Sequence, residues 1–215
     1  MKISYLALVL IGFGLIFITS CRENSANHHF KNGSAKFQLM DYKGAINDFT
    51  QAIILNNKFR DAYYARAISY GVLGKYSEAG ADFDKVIQLD PTFIDAYLNR
   101  AFYVKEKTGD FNSALSDINK FIDLNKKTNN AFALNNRGFV KLKLNDPKGA
   151  FQDIQQSLAL DSSNSFAYKN RALIYISLDS VDLACADIRK ALELGFTKDY
   201  GNEALELSNK YCQPN

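Results

Sequence analysis

The sequence predicts an all-α chain: an α-solenoid of about five helix–turn–helix units closed by a C-terminal capping helix. Three observations carry this expectation. A short motif, A-x-x-D-[FI], recurs as AINDF (45–49), AGADF (79–83), ALSDI (114–118), AFQDI (150–154) and ACADI (184–188). Its alanines, Ala45, Ala79, Ala114, Ala150 and Ala184, stand 34, 35, 36 and 34 residues apart, a period in the range of stacked helical repeats. A leucine lies ten residues beyond each alanine (Leu55, Leu89, Leu124, Leu160 and Leu194), with apolar residues between them at three- and four-residue steps. Finally, three prolines and twelve glycines in 215 residues are too few for a chain of many short strands.

Residues 1–20 read as a secretory signal peptide. Lys2 and the free amine supply its positive end, and YLALVLIGFGLIFI (5–18) is a continuous apolar run. That run is shorter than the roughly 20 residues a spanning helix needs; an uncleaved signal anchor is the alternative. ITSC (18–21) resembles the lipobox of bacterial lipoproteins, in which an aliphatic and two small residues precede an invariant cysteine. The resemblance implies cleavage before Cys21, a diacylglyceryl thioether on its sulfur and acylation of the new amine by a chain such as palmitate. Two or more chains anchor stably where one does not. Residues 21–26 would then be a lipidated tether. Arg22 follows the cysteine where some inner-membrane lipoproteins carry aspartate, which favours the outer membrane of a Gram-negative cell. Whether the chain faces the periplasm or the exterior stays open.

The repeats occupy residues 27–196, in units of about 26–59, 60–93, 94–130, 131–164 and 165–196. Asp41, Asp110, Asp146 and Ser180 stand where second helices begin and can cap them, and Pro147 follows Asp146 at the favoured first helical position. NN (56–57), DP (90–91), DSSN (161–164) and Gly195 mark helix ends. The third unit carries one or two extra residues around KEKTGD (105–110) and the following loop. Residues 197–215 supply an amphipathic capping helix and a short tail.

This pattern resembles the tetratricopeptide repeat (TPR), with its W-x₂-L-G-x₂-Y, A-x₃-F and P fingerprint. The second unit fits best, with Tyr63, Ala67, Tyr70, Ala79, Phe83 and Pro91 at those places. The resemblance implies a right-handed superhelix whose first helices line a concave groove for a protein segment. By correspondence the groove would present Phe30, Tyr64, Leu98, Asn135 and Lys169, then Ser34, Ile68, Phe102, Phe139 and Leu173. A third helical step adds Phe37, Gly71, Lys105, Leu142 and Ile176, with Asn99, Asn136 and Asn170 on the rim. Aromatics flanked by amides suit a partly apolar segment whose backbone is held by asparagine, although some of these aromatics belong to the core. The Lys and Asn that grip a C-terminal carboxylate in some chaperone cofactors are replaced by Phe30 and Ser34, or Tyr64 and Ile68, so that activity is not implied.

The fingerprint leucine is replaced by arginine at Arg66, Arg100, Arg137 and Arg171, and each second helix carries an aspartate: Asp48, Asp82, Asp117, Asp153 and Asp187. A charge in a helix–helix seam requires a partner. The first unit has Asn32 in place of arginine yet keeps Asp48. This asymmetry pairs Asp48 with Arg66, Asp82 with Arg100, Asp117 with Arg137 and Asp153 with Arg171, and leaves Asp187 facing the capping helix. The expected role is a structural ladder, not a ligand site.

With Cys21 lipidated, Cys185 and Cys212 form an even pair in an oxidising compartment, and antiparallel helices would bring them together as a disulfide; two separate thiols, one of them buried, are the alternative. His28 and His29 have no cysteine or carboxylate at zinc-ligand spacing, so no metal site is expected, and no cofactor motif or nucleophile motif occurs. The chain is therefore not read as an enzyme. A net charge of +3 without a basic run argues against nucleic acid as a partner. Two function classes remain: an envelope-anchored adaptor that binds a partner protein segment in its groove, or a self-associating structural subunit without a peptide ligand.

Overall fold

The computed structural model describes the backbone of residues 5–125 and 130–212 and the side chains of residues 22–125, 130–198 and 201–212. The side chain of Cys21, on which the lipid expectation falls, and tail residues 213–215 lie outside the described residues. No strand occurs among the described residues. The chain forms two compact units, Met1–Val104 and Lys105–Asn215.

The first unit contains α1 (Tyr5–Gln38), α2 (Tyr42–Leu55), α3 (Arg60–Val72), α4 (Tyr76–Leu89) and α5 (Ile94–Arg100), which runs into a π-helical turn at Ala101–Lys105. The second contains α6 (Glu106–Thr108), α7 (Phe111–Leu124), α8 (Ala131–Lys143), α9 (Pro147–Leu160), α10 (Ser165–Ser177), α11 (Val181–Glu193), α12 (Phe196–Tyr200) and α13 (Glu203–Tyr211). Successive helix pairs pack as repeats: α1 on α2, α3 on α4, α8 on α9 and α10 on α11.

Local chemistry explains the boundaries. Asp41, Asp110 and Asp146 accept hydrogen bonds from the backbone N–H groups of Gly44, Ser113 and Gly149, and Asn130 and Asn164 do the same for α8 and α10. Ser180 occupies the N-cap of α11, but its hydroxyl points back to the Leu178 carbonyl. A residue at positive φ closes the first helix of every repeat: Met40, Gly74, Gly109, Asn145 and Asp179.

Close approach of the paired helices sets the core. A Cβ on Gly33 would lie 2.7 Å from the Phe49 ring, and one on Gly138 would lie 2.7 Å from Ile154 Cγ1. Ala67 and Ala172, fully buried, hold the same place in their repeats. Around these small residues, Phe83, Val86 and Ala96 form a core in the first unit, and Ile154, Leu158 and Ile174 form one in the second. Each such large side chain contributes about 1.5–3 kcal/mol on burial.

Three sequence expectations change here. One extra residue of the third repeat, between Arg100 and Asp117, is absorbed by the π-helical turn, in which one residue is inserted without breaking the helix. The C-terminal cap is two helices, because Gly201 (φ 86°) turns the chain between α12 and α13. Residues 22–26, expected within the tether, lie in α1: Ala26 is fully buried, and Arg22 Nη2 donates to the Ile54 carbonyl at 3.0 Å. Cys185 and Cys212 are joined by a disulfide, which fastens the end of α13 to α11.

Candidate partner-binding site

The repeated arginines face aspartates in the seams between helices. Arg66 chelates Asp82 through Nε and Nη2 at 2.7 and 2.8 Å, Arg137 chelates Asp153 at 2.8 and 2.7 Å, and Arg171 chelates Asp187 at 2.7 and 2.8 Å. The expected register is therefore corrected: these arginines take the aspartate of their own repeat, 16 residues on. Arg66 is not the partner of Asp48, nor Arg137 of Asp117, nor Arg171 of Asp153. Asp82 is held by Arg66 where Arg100 was expected, and Asp187 by Arg171 where the capping helix was expected. Two helices joined by a tight turn bring a 16-residue offset into contact before the next repeat can supply a partner.

The remaining guanidinium arm reaches the preceding repeat, but two residues beyond the aspartate. Arg66 Nη1 donates to Thr50, Arg100 Nη1 to Asp84, Arg137 Nη1 to Asn119 and Arg171 Nη1 to Gln155. In the first repeat, where Asn32 replaces arginine, Lys36 Nζ reaches Asp48 at 2.7 Å and His29 stands 3.6 Å from it. The four arginines are thus engaged in the frame.

In the first unit, Ser34, Phe37, Gln38, Phe49, Tyr64, Ala65 and Ile68 line an apolar pocket of about 240 Å³. Phe49 is fully buried. The Tyr64 ring stands edge-on to Phe83 and Phe93, with centroids 6.1 and 4.9 Å away, and its hydroxyl accepts from Asn99 Nδ2 at 2.6 Å. Burial, aided by Asp95 and Tyr103, pushes the Tyr64 hydroxyl up to about 12, so it stays neutral. The Ser34 hydroxyl is spent on the Phe30 carbonyl. The pocket thus offers shape and apolar surface with no charged group, and suits one aliphatic or aromatic side chain, worth about 1.5–3 kcal/mol when fully buried.

A polar cluster lies in the second unit. Lys169, only 2% exposed, has its Nζ 3.1 Å from Glu203 of α13 and within 4.6, 5.5 and 5.8 Å of the Phe166, Phe139 and Phe196 ring centroids. Burial lowers its affinity for the proton, and Glu203 opposes that. Asn170 Nδ2 donates to Asn135 Oδ1 at 3.0 Å. Glu106 follows the π-helical turn and is largely buried; burial pushes its carboxyl up to about 8, and Lys107 and Lys169 pull it back only in part. Glu106 Oε1, Asn136 Nδ2 and Asn170 Oδ1 are buried without a hydrogen-bond partner, an arrangement that costs about 1–3 kcal/mol per group.

Of the residues expected to offer groove surface, Leu98, Asn135, Asn136, Lys169 and Asn170 are buried within the chain. Phe30, partly buried, packs on Phe49 and Phe59 against the core, and Tyr64 and Asn99 bond each other. Phe102 stands edge-on to Tyr103, and Phe139 packs against Phe111 with Lys143 over its face. Ile68 lies in the pocket, beside Ser34 and Phe37 from the second and third helical steps. Sequence reasoning passed over Gln38 and Ala65, which sit next to residues it did name. It also passed over Glu106, whose signal was the extra residue in the third repeat. Among the described residues no three or more His, Cys, Asp or Glu side chains cluster as a metal site would require.

These features define a helical-repeat protein with an apolar side-chain pocket. Comparison with known proteins finds tetratricopeptide repeats in the chain: one tetratricopeptide repeat model matches residues 61–93 and a second matches residues 167–194. The chain is similar to human tetratricopeptide repeat protein 6, 27% identical over 146 residues, and to Hsp70-Hsp90 organizing protein 2 of Arabidopsis thaliana, 35% identical over 86 residues. Those alignments span 66% and 39% of this chain but only 26% and 15% of the relatives. Among solved structures, MamA (residues 41 to the end) of Desulfovibrio magneticus RS-1 superposes with a TM-score of 0.70 at 17% identity, covering 81% of this chain and 97% of that one. YrrB, described as a TPR protein with an unusual peptide-binding site, superposes at 0.64 and 18% identity, covering 84% and 90%. At these identities the superpositions show the fold.

Proposed function

We propose that this protein is a lipid-anchored TPR adaptor of the bacterial cell envelope that seats an apolar side chain of a partner protein in the pocket of its first unit. The pocket around Ile68 and Ala65 carries the reading: it is apolar, preformed and free of catalytic chemistry. Relatives that include Hsp70-Hsp90 organizing proteins, and a structural neighbour described by its peptide-binding site, support a binding role over an enzymatic one. The Ile18–Cys21 lipobox supports the anchor, and the Cys185–Cys212 disulfide supports an oxidising compartment.

A photo-crosslinking residue at Gln38, on the pocket wall, tests the binding role in intact membranes. Ala65→Leu fills the pocket and should remove the crosslink to one defined segment of the partner while the protein still melts at its usual temperature. Crosslinks unaffected by Ala65→Leu would refute the pocket, and crosslinks only to a second copy of the chain would favour the self-associating subunit. Labelling with an alkyne fatty acid should mark the wild type and not Cys21→Ser; equal labelling of both would refute the anchor.

A further inference from the structure

The anchoring cysteine and the folded repeats are separated by almost no chain. Arg22, the residue after Cys21, already bonds the Ile54 carbonyl at 3.0 Å, so it caps the C-terminal end of α2 with a cation. Four residues on, Ala26 is fully buried. At about 1.5 Å per helical residue, only about 7.5 Å of helix lies between Cys21 and the first core contact.

The end of the unit that meets this point is made of turns. The α2–α3 turn presents Lys58 to solvent, and Ile54, at the last turn of α2, is 58% exposed despite being apolar. Arg60 Nη1 bonds Asp90 at 2.7 Å, so the α4–α5 turn lies at the same end. The opposite end, at Met40, is about 25 Å farther along α1, again at about 1.5 Å per residue.

We propose that this end of the first unit, around Arg22, Ile54 and Lys58, rests directly on the bilayer surface, with no flexible linker between the lipid and the fold. The inference rests on the lipid-anchor reading and adds an orientation to it. The cations at this end, Arg22, Lys58 and Arg60, do not outnumber its acids, Glu23, Asp61, Asp90 and Asp95, so the anchor holds the surface there and anionic headgroups are not needed. Ile54 is then an apolar group at the headgroup boundary, where its exposure carries little penalty.

The chain has no tryptophan, so single reporters are clean. Ile54→Trp, Lys58→Trp and Met40→Trp variants are extracted from membranes, checked by mass for the diacylglyceryl group, and reconstituted into phosphatidylcholine vesicles carrying a headgroup nitroxide. Residues 54 and 58 should be quenched several-fold more than residue 40. A flexible Gly-Ser insert between Cys21 and Arg22 should abolish that difference while the protein stays vesicle-bound. Equal quenching at all three positions, stronger quenching at residue 40, or indifference to the insert would overturn the orientation. A mass without the lipid would instead refute the anchor reading itself.

Discussion

Arg66→Met and Arg137→Met are the same substitution at the same place in two repeats, and the structure expects different costs. Methionine has nearly the helix propensity of arginine, so the backbone contribution is small. In the second repeat, Arg66 supplies both of the hydrogen bonds that reach Asp82, which is 6% exposed. Its removal leaves a buried carboxylate without a cation, and cutting one partner of such a pair costs about 3–5 kcal/mol. In the fourth repeat, Asp153 is also held by Lys141 Nζ at 2.7 Å, one turn beyond Arg137. In the second repeat that position is Tyr70, which brings no charge to Asp82. Arg137→Met therefore leaves the charge compensated and loses only hydrogen bonds, at about 1–2 kcal/mol. The difference of about 2 kcal/mol is roughly thirtyfold in the unfolding constant. Urea unfolding followed by circular dichroism at equal m-values measures it, and hydrogen exchange in α4 and α9 localises it. Equal costs for the two variants, or a cost below about 1 kcal/mol for Arg66→Met, would refute the reasoning that uncompensated charge is the dominant effect.

Glu106→Gln should flatten the pH dependence of stability. The folded-state value of about 8 lies above the ordinary 4.5, so the wild type loses stability as pH rises through that interval and levels off beyond it. At 1.36 kcal/mol per tenfold, the variant should gain on the order of several kcal/mol by pH 8 and nothing at pH 4; parallel pH profiles for the two proteins would refute it. Replacing Cys185 and Cys212 with alanine opens a 27-residue closure, worth about 3.5 kcal/mol on loop entropy, and hydrogen exchange should quicken in α11 and α13 while α2 and α3 keep their rates. Gly138→Ala should cost about 1–3 kcal/mol, because its Cβ would meet Ile154 Cγ1 at 2.7 Å. Gly80→Ala, whose Cβ would meet nothing closer than Val104 Cγ1 at 3.6 Å, should stabilise by about 0.5–1 kcal/mol; thermal melts of the two variants moving in the same direction would contradict the packing account.

Much of the fold was legible because it is periodic. The alanine column, the capping aspartates and the small residues at Gly33, Ala67, Gly138 and Ala172 answer to rules that act within some 35 residues, and a repeat restates them five times. The candidate site was less legible. A helix face can be assigned from spacing, but whether a residue on it meets solvent depends on what packs over it. Lys169 and Asn135 sit at the same repeat position as Tyr64, yet the first two are buried outright, Lys169 beneath Phe196 and Glu203 of the C-terminal helices, while Tyr64 walls a pocket.

Sequence by itself determined the helical repeat and the two columns of opposite charge, because each depends on nearby residues and a fixed period. Tertiary structure alone decided which aspartate each arginine takes, since offsets of 16 and 18 residues are equally regular on paper and only packing distance separates them. It also decided that an inserted residue becomes a π-helical turn that buries Glu106, and that Arg22 is already part of the fold. Those outcomes follow from three-dimensional distances that no spacing along the chain encodes.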